Sequence, residues 1–527
     1  MDATPAEQTP SPAGSSPAGT PSPWVRVFNR IFSRHLMSIA LLLVVVMLMS
    51  GTLHIPRDLL HDPDLWWHLA DARILWTTHH FIHVEPYAFT VAGKPWVNPE
   101  WLAEMPYWLG YRFFGLMGIF AVTALVLSAN MLFIYWRGYW SSRHAGAAFW
   151  AAGIGCMLMT INAGPRTIVI AYLLLSAEMA ILEAVDRGKT RLLWLLPPLF
   201  CLWVNTHGSW LIGLGLLVLY ILCGLFSVRE GAIEQAGFST QDRKRILYVL
   251  LACVAVLIVN PYGWRLVWNP IDMILNQKLN IANVQEWQPL NLEWFAGKGV
   301  VIIIALMVIT NAIRARKWKV YELAFVLFAF YAAFDHARFA FLAAILTIPM
   351  LAVDIERVVF TESDEKTIPV MNLLMVVGSV CVIAHFVSSP AEFKKDLGTV
   401  FPMQSIASIQ PSWRTFNGDG LGGMMDFQSK PTFLDSRFDT FEHNGVLKDF
   451  LAIERLQDTF NLLDKYQVDH VLLQKKMGLS YLLEHSPGWT VLRREGTGDD
   501  EYDLLARTHG SPASAGPCAT TPTAGKH

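Results

Sequence analysis

The 527-residue chain is 53% hydrophobic and only 16% charged, with a mean hydropathy of +0.36. Soluble proteins contain about 25% charged residues, so the composition excludes an ordinary soluble protein and indicates a membrane protein. The net charge of -2, from 41 Lys and Arg against 43 Asp and Glu, gives no basis for nucleic-acid binding. The six cysteines have neither the spacing of a zinc site nor that of a disulfide framework.

Both ends of the chain are predicted to be disordered tails, residues 1–23 and 508–527. The N-terminal tail consists mainly of Pro, Ala, Ser, Thr and Gly, which cannot bury enough apolar surface to offset the entropy of ordering. The first apolar run follows Arg26, Arg30 and Arg34 and lacks a convincing small-residue cleavage site. It is therefore predicted to be a retained helix and not a signal peptide.

Eleven apolar runs are long enough to cross a hydrocarbon core of about 30 Å. They lie near residues 36–53, 114–136, 145–161, 166–184, 191–205, 208–227, 246–260, 299–313, 320–334, 338–353 and 369–388. The predicted fold is an α-helical polytopic membrane protein with about 11 transmembrane helices, whose transmembrane domain covers residues 24–388.

The orientation follows from the positive charges, because short cytoplasmic loops contain the excess Lys and Arg. With the N-terminus inside, five cytoplasmic loops are basic, and the short external connections contain only Arg166 and Arg338. This predicts a multi-pass protein of the plasma (inner) membrane with a cytoplasmic N-terminus. The loops 54–113 and 261–298 and everything after residue 388 are then extracytoplasmic.

The last external segment, residues 389–507, is predicted to be a small extracytoplasmic α/β domain. Short β-type runs alternate in it with helical stretches such as Val446–Tyr466. The β-type runs are Trp413–Asn417, Pro431–Asp435, His470–Gln474, Trp489–Arg494 and Tyr502–Ala506. The glycine-rich stretch Gly418–Gly423 lacks the spacing of a nucleotide-binding loop and is interpreted as a turn-rich loop.

The first external loop contains a helix start, with Asp62 suited to the N-cap and Pro63 to the first helical position. Continued at 3.6 residues per turn, Asp64, His68 and Asp71 share a polar face. The pattern predicts an amphipathic helix on the membrane surface, with its tryptophans as interfacial anchors.

A similar pattern follows at Asn98-Pro99-Glu100, where Glu100 and Glu104 lie one turn apart on the same face. Two such helices would form an acidic shelf over the bundle. Two structural interpretations remain open: Asp62 acts only as an N-cap, and Glu100 only as a favourable charge at a helix N-terminus.

Further polar residues stand at the external ends of later spans. Arg166 and Arg338 are candidates for holding a lipid phosphate, because an arginine at the edge of an apolar helix needs an anionic partner. Alternatively, Arg338 pairs with Asp335 and Arg166 extends to the headgroups. His207 is a candidate binding residue or a structural residue of a tight turn, and Glu286 is a candidate second acid.

The first loop resembles that of the GT-C superfamily of integral membrane glycosyltransferases, whose bacterial members read Asp-x-Asp-x-Trp-Trp-His-Leu and then Trp-x-x-x-Glu-Trp-Leu-x-Glu. These motifs stand here at Asp62–Leu69 and Trp96–Glu104, within a resemblance that covers about residues 36–507. The resemblance implies that Asp62 and Asp64 supply the catalytic base or ligate a divalent cation such as Mg²⁺ or Mn²⁺.

The implied function is inverting transfer of a sugar from a polyprenyl-phosphate donor to an acceptor hydroxyl at the extracytoplasmic face, with Asp64 as the preferred base. Membrane lipid and a glycan, lipid or protein acceptor are the implied partners, with no nucleic acid. The residues expected to contact donor or acceptor are Arg338, Arg166, His68, His207, Glu100, Glu104 and Glu286. A transporter or flippase for a lipid-linked sugar, and a non-enzymatic scaffold with an external binding domain, are the alternatives.

Overall fold

The computed structural model describes residues 34–49, 62–360, 368–386 and 389–508, together with Val27 and Leu60. The predicted tail 1–23, and all of the predicted tail 508–527 except Thr508, lie outside the described residues.

Most of the described chain is helical. The helices of the membrane-associated part are α1 (Arg34–Met49), α2 (Pro63–Thr78), α3 (Trp101–Phe114), α4 (Leu116–Ser142), α5 (Ala145–Met159), α6 (Thr167–Asp186), α7 (Leu196–Val204), α8 (Trp210–Gly224), α9 (Thr240–Val256), α10 (Trp264–Asn276), α11 (Lys278–Asn283), α12 (Phe295–Ile313), α13 (Val320–Asp335), α14 (Ala340–Val359) and α15 (Pro369–Phe386). Those of the C-terminal part are α16 (Pro390–Val400), α17 (Met403–Ser408), α18 (Asp419–Phe427), α19 (Phe438–His443), α20 (Val446–Glu454), α21 (Thr459–Lys465) and α22 (Gly478–Glu484).

Every predicted span coincides with a helix: α1, α4 to α9, and α12 to α15. Among the described residues, six of these helices are long and apolar enough to cross a membrane by themselves, namely α4, α5, α6, α12, α14 and α15. Helix α14 lies at the centre of the bundle, where it packs against α4, α5, α12 and α13. The protein is therefore an α-helical polytopic membrane protein, and the number of spans beyond these six stays a prediction.

The two ends of the bundle differ in the loops that meet there. At one end the basic loops contact one another: Lys319 pairs with Asp186, and the Lys317 ammonium lies 3.2 Å from Glu234 Oε2. A short hairpin, β1 (Val228–Glu230) and β2 (Ile233–Gln235), joins this group. The segments predicted to be external meet at the other end. There the Leu102 amide donates to the Asn205 carbonyl at 3.2 Å.

The C-terminal part forms the predicted small α/β domain around a four-stranded sheet of order β3-β4-β6-β5. Its strands are β3 (Thr415–Asn417), β4 (His470–Gln474), β5 (Trp489–Glu495) and β6 (Tyr502–Arg507). The β3–β4 pair is parallel, whereas β6 is antiparallel to both of its neighbours.

The expected strand at Pro431–Asp435 does not form. Its backbone is instead satisfied by the side chain of Asn417, which donates to the Leu434 carbonyl and accepts from the Phe433 amide, both at 2.8 Å. A single bridge from Thr432 to Ala88 ties the segment to the first external loop. The predicted helical stretch Val446–Tyr466 is likewise divided, into α20 and α21.

Helix α2 does not lie on the membrane surface, so that expectation is wrong. Both of its faces are covered, and the eight consecutive residues from Leu65 to Ala72 are all buried. Trp66 is 1% exposed, and its indole donates to the Leu60 carbonyl at 3.0 Å. The paired tryptophans are therefore core residues of the external part and not interfacial anchors.

Helix α18 packs over α2. It begins inside Gly418–Gly423, the stretch that was expected to be a turn-rich loop. Two adjacent glycines allow α18 to pack closely, Gly423 against α2 and Gly422 against the segment at Leu434 and Asp435. A Cβ atom on Gly423 would lie 2.5 Å from the Pro63 carbonyl oxygen, and one on Gly422 would lie 2.4 Å from the Leu434 carbonyl oxygen. Only a residue without a side chain fits at either position.

Gly423→Ala is expected to lower the thermal unfolding midpoint of the purified protein in detergent. The new methyl group must push α18 away from α2, and overpacking of this kind costs about 1–3 kcal/mol. Gly420→Ala in the same helix is the matched control, since a Cβ atom there meets no atom within 4 Å. Equal midpoints for the two variants would contradict the close packing of α18 on α2.

Candidate active site

A cavity of about 880 Å³ opens at the end of the bundle opposite the basic loops, between the first turns of α2 and α6, the loop 261–298 and the C-terminal domain. Seven of the nine residues expected from the sequence line it: Asp64, His68, Glu100, Arg166, His207, Glu286 and Arg338. Asp62 and Glu104 lie directly behind this lining. The structure thus brings together residues that are up to 274 positions apart in the sequence, from Asp64 to Arg338.

Asp62 and Asp64 have different surroundings. Asp62 is the N-cap of α2, and its Oδ1 accepts from the Asp64 amide at 3.0 Å. Its Oδ2 accepts from Arg166 Nε at 2.6 Å, so both of its oxygens have protein donors. Asp64 stands in the first turn and faces the cavity, where its Oδ1 lies 3.3 Å from the Trp67 indole nitrogen.

Burial raises the pKa of the Asp64 carboxyl, and the negative charge of Asp62 raises it further. The positive charge of Arg166 partly opposes this shift. Asp64 is therefore a more basic carboxylate than an exposed aspartate, as a proton acceptor needs to be.

His68 lies one turn after Asp64 and between the two glutamates of the predicted acidic shelf. Its Nδ1 is 2.9 Å from Glu104 Oε1 and its Nε2 is 3.4 Å from Glu100 Oε2. Burial lowers the pKa of His68 despite the nearby carboxylates, so the ring is neutral at neutral pH. The glutamates flank this histidine from two sides and do not form one exposed shelf.

Glu100 faces the cavity, where three side chains surround it. Its Oε2 accepts from the Thr167 hydroxyl at 2.6 Å, and its Oε1 is 3.2 Å from His207 Nε2. Burial raises the pKa of Glu100 to about 6, whereas burial and the charge of Arg338 lower the pKa of His207 to about 3. His207 also accepts from the Ser209 amide at 2.9 Å, so it supports its turn as well as lining the cavity.

Glu104 lies behind His68 and is 1% exposed. The Asn98 amide nitrogen lies 2.9 Å from each of its carboxyl oxygens. Burial raises the pKa of Glu104 to about 8, so the group holds a proton at neutral pH. It can orient His68, but it does not reach the cavity.

Glu286 bridges the two arginines that were expected to hold a phosphate. Its Oε2 pairs with Arg166 Nη1, and its Oε1 lies 3.4 Å from Arg338 Nη1. Although burial raises the pKa of Glu286, the charges of Arg338 and Arg166 outweigh it and lower the pKa to about 2. The alternative pairing of Arg338 with Asp335 is therefore not formed, and Arg166 does not extend to the headgroups.

The C-terminal domain contributes residues that the sequence did not single out. The Ser436 hydroxyl accepts from the Trp67 indole nitrogen at 3.0 Å, and its proximity lowers the pKa of the Asp64 carboxyl. Next to it, Arg437 pairs with Asp435 at 2.6 Å and with Glu85 at 2.9 Å. These residues stand at and just after the segment that was interpreted as a strand, and no spacing in the sequence relates residue 436 to residue 64.

The donors around Asp62 do not fit the expected divalent cation on Asp62 and Asp64. A cation bound to Asp62 would have to replace the guanidinium of Arg166, which already neutralises that carboxylate. In the part of the chain that the structure describes, no group of three or more His, Cys, Asp and Glu side chains could hold a metal ion. No chemical step is therefore assigned to a metal here.

Glu104→Gln is expected to change how the stability of the protein depends on pH. The folded state keeps the Glu104 proton up to about pH 8, whereas the unfolded chain loses it near its ordinary pKa of about 4.3. Between these values the unfolded state binds fewer protons, so the wild type loses stability as the pH rises. The amide that replaces the carboxyl group in the variant does not titrate and keeps the hydrogen-bonding shape.

Thermal unfolding of both proteins in detergent, from about pH 5 to about pH 8, measures this difference. The midpoint of the variant should rise relative to that of the wild type across the range. Groups common to both proteins cancel in the comparison, so parallel profiles would show that Glu104 is ionised throughout.

Comparison with known proteins gives a likeness in structure. No protein-family model and no curated protein matches the chain. Among solved structures, the archaeal oligosaccharyltransferase AglB from Archaeoglobus fulgidus, in complex with an inhibitory peptide and a dolichol-phosphate, has a TM-score of 0.52 at 11% identity. The likeness covers 82% of this chain and 69% of that chain.

ArnT from Cupriavidus metallidurans, bound to undecaprenyl phosphate, has a TM-score of 0.47 at 14% identity, over 92% of this chain and 98% of that one. The likeness to AglB, at 11% identity, establishes a common fold and assigns no role to a residue. The chain therefore shares the fold of AglB.

Proposed function

We propose that the protein is a membrane glycosyltransferase that moves a sugar from a polyprenyl-phosphate donor to an acceptor hydroxyl at the extracytoplasmic face. The observation that supports this most directly is the cavity in which the Asp64 carboxylate and the guanidinium groups of Arg166 and Arg338 meet. A base for the acceptor and cations for the donor's phosphate are the two requirements of this reaction.

The same cavity offers a path for a prenyl chain. Beside the charged groups, apolar side chains from the external ends of the spans and from α10 line it: Ile161, Leu211, Ile212, Met273, Ile274 and Phe295. A lipid-linked substrate needs this combination, because its phosphate must be neutralised while its tail stays in an apolar environment. AglB, which shares the fold, was solved with a dolichol-phosphate.

In the proposed reaction Asp64 accepts the proton of the acceptor hydroxyl as its oxygen attacks the anomeric carbon. The bond between that carbon and the phosphate oxygen breaks, and its electron pair leaves with the polyprenyl phosphate. Because the phosphate is a good leaving group next to two guanidinium groups, departure needs no general acid. Attack in line with the leaving group inverts the anomeric configuration.

Asp62 is proposed to be a positioning residue and not the base. Both of its oxygens already accept from protein donors, one from Arg166 and one from the backbone of Asp64. It therefore fixes the start of α2 and orients one of the arginines. His68, Glu100 and His207 line the cavity beside these groups, where they are proposed to contact the sugar or the acceptor.

The orientation in the membrane is part of the proposal. The basic loops meet at one end of the bundle and the cavity opens at the other, so the positive-inside rule assigns the cavity to the extracytoplasmic side. The N-terminus would then be cytoplasmic and the α/β domain extracytoplasmic. A transporter for a lipid-linked sugar would use the same lipid but would transfer no sugar, so product formation separates the two functions.

Asp64→Asn is expected to lower the rate of sugar transfer by about 10²–10⁴-fold, the usual contribution of a general base. The measurement is product formation by purified protein from a polyprenyl-phosphate sugar. Binding of the donor should be retained, because the variant leaves both arginines in place. Wild-type turnover in this variant would remove Asp64 as the base.

Ser436→Ala is expected to shift the acid limb of the pH profile of kcat/KM to higher pH. Burial raises the pKa of Asp64, and the nearby Ser436 hydroxyl opposes that shift, so removal of the hydroxyl raises the pKa further. The base acts only when ionised, and a higher pKa therefore requires a higher pH. Ser429→Ala is the control, because Ser429 is in the same domain and bonds to Arg73. Identical pH profiles for the wild type and both variants would contradict the effect of Ser436 on the pKa of the base.

A further inference from the structure

The two arginines of the cavity that were expected to hold a phosphate are already paired with a side chain of the protein itself. Glu286 belongs to a single 3-10 turn, Gln285–Trp287, in the second external loop. Its two carboxylate oxygens contact two different arginines, Arg166 and Arg338. Two guanidinium groups that converge on one acidic group are a typical arrangement for binding a phosphoryl group.

We propose that Glu286 occupies the position of the donor's phosphoryl group and that the donor displaces it on binding. This inference rests on the proposed function, in which Arg166 and Arg338 hold the donor phosphate. Exchange of one anion for another keeps both guanidinium groups neutralised, so the displacement leaves no uncompensated charge. The Arg166 contact with Asp62 stays in place throughout.

Arg338 has capacity for such a ligand. Its Nε is buried and has no hydrogen-bond partner among the described residues, and Glu286 contacts only its Nη1. The guanidinium is held in place by the Trp287 ring, whose centroid lies 4.1 Å from Arg338 Cζ. A phosphoryl group offers three oxygens where a carboxylate offers two, and it can accept from the nitrogen that Glu286 leaves unpaired.

The displacement moves the Glu286 side chain and leaves the backbone of its turn in place, because the Trp287 carbonyl oxygen of the same turn lies 2.6 Å from His336 Nδ1. On one side α11 is anchored separately, since the Glu442 carboxylate accepts from the backbone amides of Leu279 and Asn280 at 2.9 and 2.7 Å. On the other side the Leu290 amide donates to the Phe334 carbonyl at 3.2 Å. The displacement is therefore a local change between two fixed points.

The position fits one phosphoryl group and not two. A single carboxylate spans both arginines, and the other guanidinium that lines the cavity, Arg437, is already paired with Asp435 and Glu85. A diphosphate would bring a second phosphoryl group with no free cation among the described lining residues. The donor class is therefore a polyprenyl monophosphate sugar.

The charge state of Glu286 favours this role over that of a catalytic acid. Because Arg338 and Arg166 lower its pKa to about 2, Glu286 has no proton to donate at neutral pH. It behaves as a permanent anion in the cavity.

The test is isothermal titration calorimetry of the purified full-length protein in detergent with farnesyl phosphate as the probe. Glu286→Gln should bind it about tenfold more tightly than the wild type, because the competing anion no longer has to be displaced. Glu286→Ala, which removes the bridge entirely, is the second variant. Glu293→Gln, on an exposed residue of the same loop, is the matched control and should bind like the wild type.

Three further titrations identify the ligand. Inorganic phosphate should also bind Glu286→Gln more tightly than the wild type, since it contains the same phosphoryl group. For farnesyl diphosphate, the increase in affinity from wild type to Glu286→Gln should be no larger than for farnesyl phosphate. For short-chain phosphatidylglycerol the two proteins should have the same affinity. An increase equal to that for farnesyl phosphate would assign the position to membrane headgroups and overturn the inference.

The possible failures can be told apart with Arg338→Gln. One outcome is that the wild type binds farnesyl phosphate, that Arg338→Gln loses this binding, and that Glu286→Gln binds no more tightly than the wild type. In that case the displacement is wrong and the proposed donor site stands. If the wild type does not bind farnesyl phosphate, the proposed donor class falls and the inference falls with it.

Discussion

The Arg166 guanidinium holds the candidate site together. It stands at the N-terminus of α6, donates to Asp62 at the start of α2, and pairs with Glu286 on the loop 261–298. A charge withdrawn from water is stable only with partners, so this arginine fixes the loops 54–113 and 261–298 against the bundle. Because the other oxygen of Asp62 caps α2, the same contact also sets the position of Asp64.

The surroundings of each acidic group in the site determine whether that group is ionised or protonated. Glu286, next to two arginines, is held ionised, whereas Glu104, buried between an amide and a neutral imidazole, keeps its proton. The pKa of Asp64 is raised by burial and by the charge of Asp62, and the positive charge of Arg166 partly opposes this shift. Carboxyl groups whose pKa values are separated in this way can take different parts in one reaction. The local environment, and not the residue type, therefore distinguishes a base from a fixed anion and from a neutral support.

The sequence predicted the features that depend on local chemistry or on the bilayer. The cap at Asp62, the proline after it and the positions of the apolar helices all follow from neighbouring residues, and the structure contains each of them. The predictions that were wrong concern contacts between residues that are far apart in the sequence. The polar face of α2 pointed to a membrane surface, but α18 covers the helix, and Gly423, which allows this approach, looks like a loop residue when read alone. The partners of Arg338 could not be predicted either, because Asp335 is near in sequence while Glu286 is near in space.

The position of the C-terminal domain changes what that domain is expected to do. A separate binding module would contact the bundle through a polar, exchangeable surface. Here α18 is packed on α2 so closely that Gly423 has no room for a methyl group, and Ser436 lines the same cavity as Asp64. In the proposed reaction, a movement of the domain would therefore also change the surroundings of Asp64. The domain is better understood as one wall of the cavity than as a receptor attached to it.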